Sequence, residues 1–139
     1  MLTIKENVLD VDIYLSLRDG VNWKKLSVNQ AKSAISNSLF NVTAFIGDVP
    51  VGMGRVVGDG AVICYIQDLV VLPGYQKQGI GKAIMKRLME YVESIRENGT
   101  EMMLCLMCAK GREPFYENLG FMARPTENLG PGMILYMNK

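Results

Sequence analysis

One stretch restricts the fold of this chain more than any other: a long apolar run stops at a proline, a glycine pair follows, and an amphipathic segment begins. Ala61-Val-Ile-Cys-Tyr-Ile-Gln-Asp-Leu-Val-Val-Leu is rich in β-branched residues, and Pro73, which cannot donate to a ladder, closes it as a strand. After Gly79 and Gly81, residues Ile80, Ile84, Leu88, Tyr91, Val92 and Ile95 recur at helical spacing until Gly99, a natural residue just beyond a helix. Strand, glycine turn and helix together aim several backbone N–H groups and a positive dipole end at one place. Such a place suits an anion, most often a phosphate.

Two common phosphate loops are excluded by single residues. A Walker loop ending at Gly81-Lys82 needs a glycine at 76 and a hydroxyl residue at 83, where the chain has Gln76 and Ala83. A dinucleotide fingerprint starting at Gly79 needs a small residue at 84, where the chain has Ile84. What remains is Gln76-x-x-Gly79-x-Gly81, preceded by Val70-Val71-x-Pro73.

The rest of the chain reads as one domain, 1–139, of mixed α and β character. Leu2 to Lys5 alternates as a short strand. Asp10 or Asp12 caps a helix carrying Ile13, Tyr14 and Leu17 and ending near Gly20. Ser27-x-x-Gln30 is a capping box for a second helix to about Ser38. Two hairpins follow, with strands at Val42–Ile46 and Val51–Val57, the second weakened or bulged by Gly52 and Gly54, and a turn at Gly58-Asp59-Gly60. Beyond the long helix, Glu101 to Cys108 is apolar enough for a strand buried on both faces and, being joined by a helix, parallel to its predecessor. Pro114 to Leu119 reads as a short helix stopped by Gly120. Phe121 opens a strand, and the tail through Gly130-Pro131-Gly132-Met133 to Tyr136 returns as a final one.

Composition removes several classes of function. No histidine is present, which excludes Ser-His and Cys-His nucleophile systems and the commonest metal ligand. Cys64, Cys105 and Cys108 lie in apolar segments and read as buried structural thiols with no metal site expected, the Cys105-x-x-Cys108 spacing leaving a redox or metal role as the alternative. A net charge of +1 gives no reason to expect nucleic acid or an anionic membrane as partner. No apolar run approaches the ~20 residues that span a bilayer, and Met1-Leu-Thr-Ile-Lys-Glu does not read as a signal peptide, so a cytoplasmic location is expected.

Two motifs together carry a family resemblance. The segment Gln76-x-x-Gly79-x-Gly81 after its Val-x-Pro strand end resembles the acetyl-CoA signature of the GCN5-related N-acetyltransferase (GNAT) superfamily. Phe115-Tyr116-x-x-x-Gly120-Phe121 resembles the superfamily's second motif, and the helix and strand between the two agree in order. Gly54-Arg55-Val56-Val57-Gly58 with the closing Gly-Pro-Gly-Met is similar to a bacterial branch of small-amine acetyltransferases. The resemblance implies an α+β fold: a mixed, mainly antiparallel sheet of six or seven strands, splayed at its centre and flanked by about four helices. It also implies acetyl-CoA as cosubstrate. Pantetheine would bond to the backbone of Leu69, Val70 and Val71, and the pyrophosphate to Gln76, Lys77, Gln78, Gly79, Ile80, Gly81 and Lys82.

The implied reaction is direct attack of a small-molecule primary amine on the thioester in a ternary complex. A backbone N–H near Val70 or Val71 would stabilise the oxyanion. By resemblance, Tyr116 would protonate the leaving thiolate, as a phenol of pKa ~10 can for a thiol of ~8.5. Relatives that acetylate polyamines often carry Glu-Asp before the strand end; here the pair is Gln67-Asp68, which leaves Asp68 as candidate base. An acid in an apolar strand is costly unless paired, hydrated or functional, so a structural carboxylate is the alternative. Trp23, Tyr65 and Gln67 are candidate acceptor contacts, with Trp23 otherwise a plug at the core edge. The competing reading is a non-catalytic acyl-CoA-binding sensor or partner module, favoured only by the missing carboxylate at Gln67. A homodimer is left open.

Overall fold

The computed structural model describes residues 1–138; Lys139, the last residue of the expected domain, lies outside them. The chain divides into two compact units, Met1–Cys105 and the residues from Leu106 onward. The first unit opens with β1 (Leu2–Glu6), α1 (Val11–Gly20) and α2 (Val28–Ser36), followed by β2 (Phe40–Ile46), β3 (Val49–Gly58) and β4 (Ile63–Val71). A single 3-10 turn, Pro73–Tyr75, leads to α3 (Ile80–Ile95) and β5 (Met103–Leu106). Local chemistry sets the helix starts. The Asp10 side chain accepts from the Ile13 N–H, and Ser27 and Gln30 complete a reciprocal capping box.

The strands lie in the order β1-β2-β3-β4-β5, with the first four antiparallel in succession. The Met103 N–H donates to the Val62 carbonyl and the Cys105 thiol to that of Cys64, so β5 advances in the same direction as β4. The sheet is therefore mixed, as a helix-joined strand pair requires.

Helices cover both faces. On one, Tyr14 and Leu17 of α1 and Ala31 of α2 pack with Met53 and Val70 of the sheet. On the other, Ile80, Ile84, Met85, Leu88 and Val92 of α3 are buried. Gly52 and Gly54 are where α3 seats on β3. A Cβ on Gly52 would stand 2.8 Å from the Val70 carbonyl oxygen and 3.0 Å from Ile84 Cδ1, and one on Gly54 would stand 2.7 Å from Leu88 Cδ1. These glycines, expected to weaken the strand, instead admit the helix to the sheet surface.

The second unit holds α4 (Glu113–Glu117). Here the expectations need correction. Among the described residues the sheet has five strands, not six or seven, and nothing from Phe121 onward is a strand. The segment after Phe121 satisfies its polar groups locally: Arg124 Nε donates to the Gly130 carbonyl at 2.6 Å, and the Thr126 N–H to that of Leu129 at 2.8 Å. Pro125 and Pro131 offer no ladder donor. Residues 133–137 are 57–88% exposed. β5 is also shorter than the 101–108 run and only half-buried, because it lies at the end of the strand order with a neighbour on one side. Cys108 is exposed, whereas Cys64 is buried as expected. Among the described residues no helix is long and apolar enough to cross a membrane.

Candidate active site

The loop expected to bind an anion begins where β4 ends. The Leu72 N–H donates to the Val51 carbonyl, and Pro73 opens the 3-10 turn. The Gln76 side-chain amide then reaches back to the Val71 carbonyl at 2.9 Å, tying the loop to the strand end. Gln76, expected among the anion contacts, therefore spends its amide on the scaffold. Lys77 (φ 63°) and Gly79 (φ 83°) are both left-handed, which turns the chain into α3. Gly79 is the N-cap residue and has no side chain to cap with, and a Cβ built on it meets nothing within 4 Å. The first helical bond runs from the Ala83 N–H to the Gly79 carbonyl. The amides of Ile80, Gly81 and Lys82 precede it and have no partner within the helix. Three N–H groups on the positive end of a helix dipole, beside an open loop, make a cradle whose chemistry suits an anion. The side chains of Lys77, Gln78 and Lys82 are exposed around it, while that of Ile80 is buried and leaves only its amide for binding.

Next to this loop, β4 carries a bulge. Met53 pairs with Val70 and Arg55 with Gln67, so two residues, Asp68 and Leu69, stand opposite Gly54 alone. The extra residue shifts the alternation by one. Tyr65 and Gln67, paired with Val57 and Arg55 before the bulge, share the α1/α2 face with Val70 after it. Asp68 itself adopts φ 58° and turns its carboxylate into that face.

Asp68 is 4% exposed and saturated with donors. One carboxylate oxygen accepts from Arg55 Nε at 2.9 Å and from the Tyr14 hydroxyl at 2.5 Å. The other accepts from Arg18 Nη1 at 2.8 Å and from the Gln67 amide at 3.3 Å. Arg55 continues to the Ser38 hydroxyl and the Ala34 carbonyl, and Arg18 to the Lys24 carbonyl. To take a proton from an amine, this carboxylate must give up one of these bonds. That is the geometry of an anchor tying β3, β4, α1 and α2 together, the alternative left open for Asp68 from sequence. Burial, and then the bond to Asp68, push the Tyr14 phenol up to about 12, so it stays a proton donor.

The indole of Trp23 stacks on the Arg18 guanidinium at 5.3 Å. Both line a cavity of about 220 Å³ at the α1–α2 connection, whose lining is completed by the exposed Asp19, Lys24 and Lys25 and the half-buried Leu15 and Leu26. Trp23 is thus a cavity wall and not a core plug. Tyr65 and Gln67 lie on the same face of the sheet without contributing to these walls. Sequence reasoning missed Tyr14, Arg18 and Arg55 as members of this network. The available signal was Arg55, a lone cation in an apolar strand that must find an anion when buried.

In the second unit, Tyr116 stands on α4 with the rings of Phe115 and Phe121 edge-on to it at 5.0 and 6.1 Å. The Phe121 N–H returns to the Tyr116 carbonyl, closing the helix over left-handed Gly120. Burial raises the Tyr116 phenol, and Cys108 adds to the rise while Arg112 opposes it. The side chain is held in its acid form. Among the described residues no cluster of acidic and cysteine side chains suits a metal ion.

The chain is similar to several known proteins. The family model described as "Acetyltransferase (GNAT) domain" matches residues 39–123, which include the bulge, the anion loop and Tyr116. A structure described as that of a probable acetyltransferase from meticillin-resistant Staphylococcus aureus is 30% identical and superposes with a TM-score of 0.86, covering 99% of this chain and 100% of that one. A GNAT family acetyltransferase from Streptococcus pneumoniae is 32% identical with a TM-score of 0.84, and all of both chains is covered. A Glycine max protein named a histone acetyltransferase is 33% identical over 142 residues, covering 93% of this chain. This chain spans 59% of that relative's length.

Proposed function

The chain belongs to the GNAT family of acetyltransferases, and from that premise we propose that it transfers the acetyl group of acetyl-CoA to the primary amine of a small molecule. Members of this family use acetyl-CoA, and the observation that carries the reading here is the cradle at the start of α3. Its cap is a side-chain-free left-handed glycine, its amides point away from the helix, and Gln76 locks it to the end of β4. The donor set fits a pyrophosphate: backbone N–H groups, with Lys77 and Lys82 exposed beside them. Leu69 to Val71 would offer backbone to the pantetheine arm.

When bound, the thioester supplies an activated acetyl group. The chain's own residues then have three tasks. A backbone N–H near Val70 or Val71 stabilises the oxyanion as the amine nitrogen bonds to the acetyl carbon. Tyr116 donates its proton to the sulfur as the carbon–sulfur bond breaks, and regains one from solvent. The amine loses its proton to water, while Asp68 positions Arg18 and the bulge instead of acting as the base. The walls of the α1–α2 cavity favour a small acceptor over a basic protein tail: Arg18, Lys24 and Lys25 would repel a lysine-rich peptide, with only Asp19 to attract it.

The test is thiol release from acetyl-CoA against a panel of small amines, in parallel with thermal melts in CoA. Protection by CoA with amine-dependent thiol release is expected. Protection without turnover on any amine would leave a binding module, and absence of protection would remove the cradle assignment.

A further inference from the structure

The cavity at the α1–α2 connection concentrates charge in a chain that is otherwise nearly balanced. The whole protein carries a net charge of +1. Around this cavity and the network behind it stand four cations, Arg18, Arg55, Lys24 and Lys25, against two carboxylates, Asp19 and Asp68. Asp68 is already shared between two guanidiniums, so it cannot neutralise both. Arg18 also keeps a buried Nε–H with no hydrogen-bond partner among the described residues, while its other two nitrogens serve Asp68 and the Lys24 carbonyl. Trp23 supplies one flat wall and is itself held by Arg18. A cavity of about 220 Å³ holds the equivalent of about seven waters, enough for a compact polar group.

Resting on the acetyl-transfer reading above, we propose that the acceptor amine carries an anionic oxygen group, a carboxylate or a phosphate, which this cavity holds between Lys24, Lys25 and the Arg18–Trp23 stack. The lysines supply charge at the rim and the indole supplies a contact surface for the substrate body. The anchored guanidinium adds positive potential from below, since its position is fixed by Asp68. The cavity thus selects acceptors by charge at a place other than the amine.

Trp23 is the only tryptophan, so its fluorescence reports on this cavity alone. The full chain is titrated with O-phosphoethanolamine and 4-aminobutyrate, and with their uncharged-tail counterparts ethanolamine and n-butylamine. At least one anionic probe is expected to change the emission saturably, at least about tenfold more tightly than its counterpart, and to weaken between 50 and 500 mM NaCl. The arm that responds tells phosphate from carboxylate. Replacing both rim lysines (Lys24→Ala with Lys25→Ala) should erase the preference, with the melting temperature confirming an intact fold. Equal response to charged and neutral probes, or none to either anionic probe, overturns the proposal. Acetyl transfer to the same four amines is followed separately. Selective anion binding without turnover on any amine would count against the enzymatic reading, while turnover without anion selectivity would count against this cavity's role.

Discussion

Asp68→Asn separates an anchor from a base. The substitution keeps the shape of the side chain but removes the charge, and it places an amide NH₂ against guanidinium donors. Arg18 and Arg55, whose side chains are 12% and 8% exposed, are left facing no carboxylate. Removing one partner of a buried ion pair costs ~3–5 kcal/mol, because the remaining charge stays desolvated. At ~3–4 °C per kcal/mol for a chain of this size, the melting temperature should fall by ~9–20 °C. Pairing the change with Arg55→Met removes one of the stranded cations. The double variant should then melt above the sum of the two single effects. The kinetic companion is a pair of pH–rate profiles with a weakly and a strongly basic amine. An anchor predicts a parallel offset at every pH. A melting temperature within about 2 °C of wild type, with activity lost at low pH and regained as the amine deprotonates itself, would refute the anchor and restore Asp68 as base.

Three further outcomes are expected. Gly79→Asp should abolish protection by CoA, while Gly79→Asn, which meets the same left-handed backbone without the charge, should retain part of it; equal behaviour in thermal shift would show that backbone strain and not charge governs the loop. Tyr116→Phe should lower turnover by ~10²-fold with CoA affinity intact, and the loss should shrink with acyl donors of a more acidic thiol; unchanged turnover would make Tyr116 a packing residue. Tyr14 holds its proton more tightly in the folded chain than in the unfolded one, so its contribution to stability is complete below pH 10 and is lost as the pH climbs to about 12. Melting curves across that window should fall more steeply for wild type than for Tyr14→Phe.

Features written in neighbouring residues were legible in the sequence, and features that join distant ones were not. The Asp10 cap, the Ser27–Gln30 box and the glycine turn into α3 each depend on a few adjacent residues, and each stands where expected. Three of the four partners of Asp68 lie 13, 50 and 54 positions away, at Arg55, Arg18 and Tyr14. No local periodicity announces such a meeting. The bulge was hidden for a related reason: burial along β4 still alternates residue by residue, although the facing partners have slipped by one. The tail misled in the opposite way, because its apolar residues imitate a strand whose neighbours the polar groups of 124–130 do not supply.

The close seating of α3 on Gly52 and Gly54 has a consequence for transplanting the loop. The helix that presents the cradle rests Ile80, Ile84 and Leu88 on two strand positions that carry no side chain of their own. Its height above the sheet, and with it the reach from the amides of 80–82 to the end of β4, is therefore written in β3, well before the loop itself. A methyl at Gly54 would press on Leu88 and Ile84, and one at Gly52 on Ile84 and the Val70 carbonyl, so either would disturb the seat of the helix behind a loop whose own residues were untouched. Moving residues 72–82 onto another sheet should carry the anion site only if two bare positions on the adjoining strand travel with them.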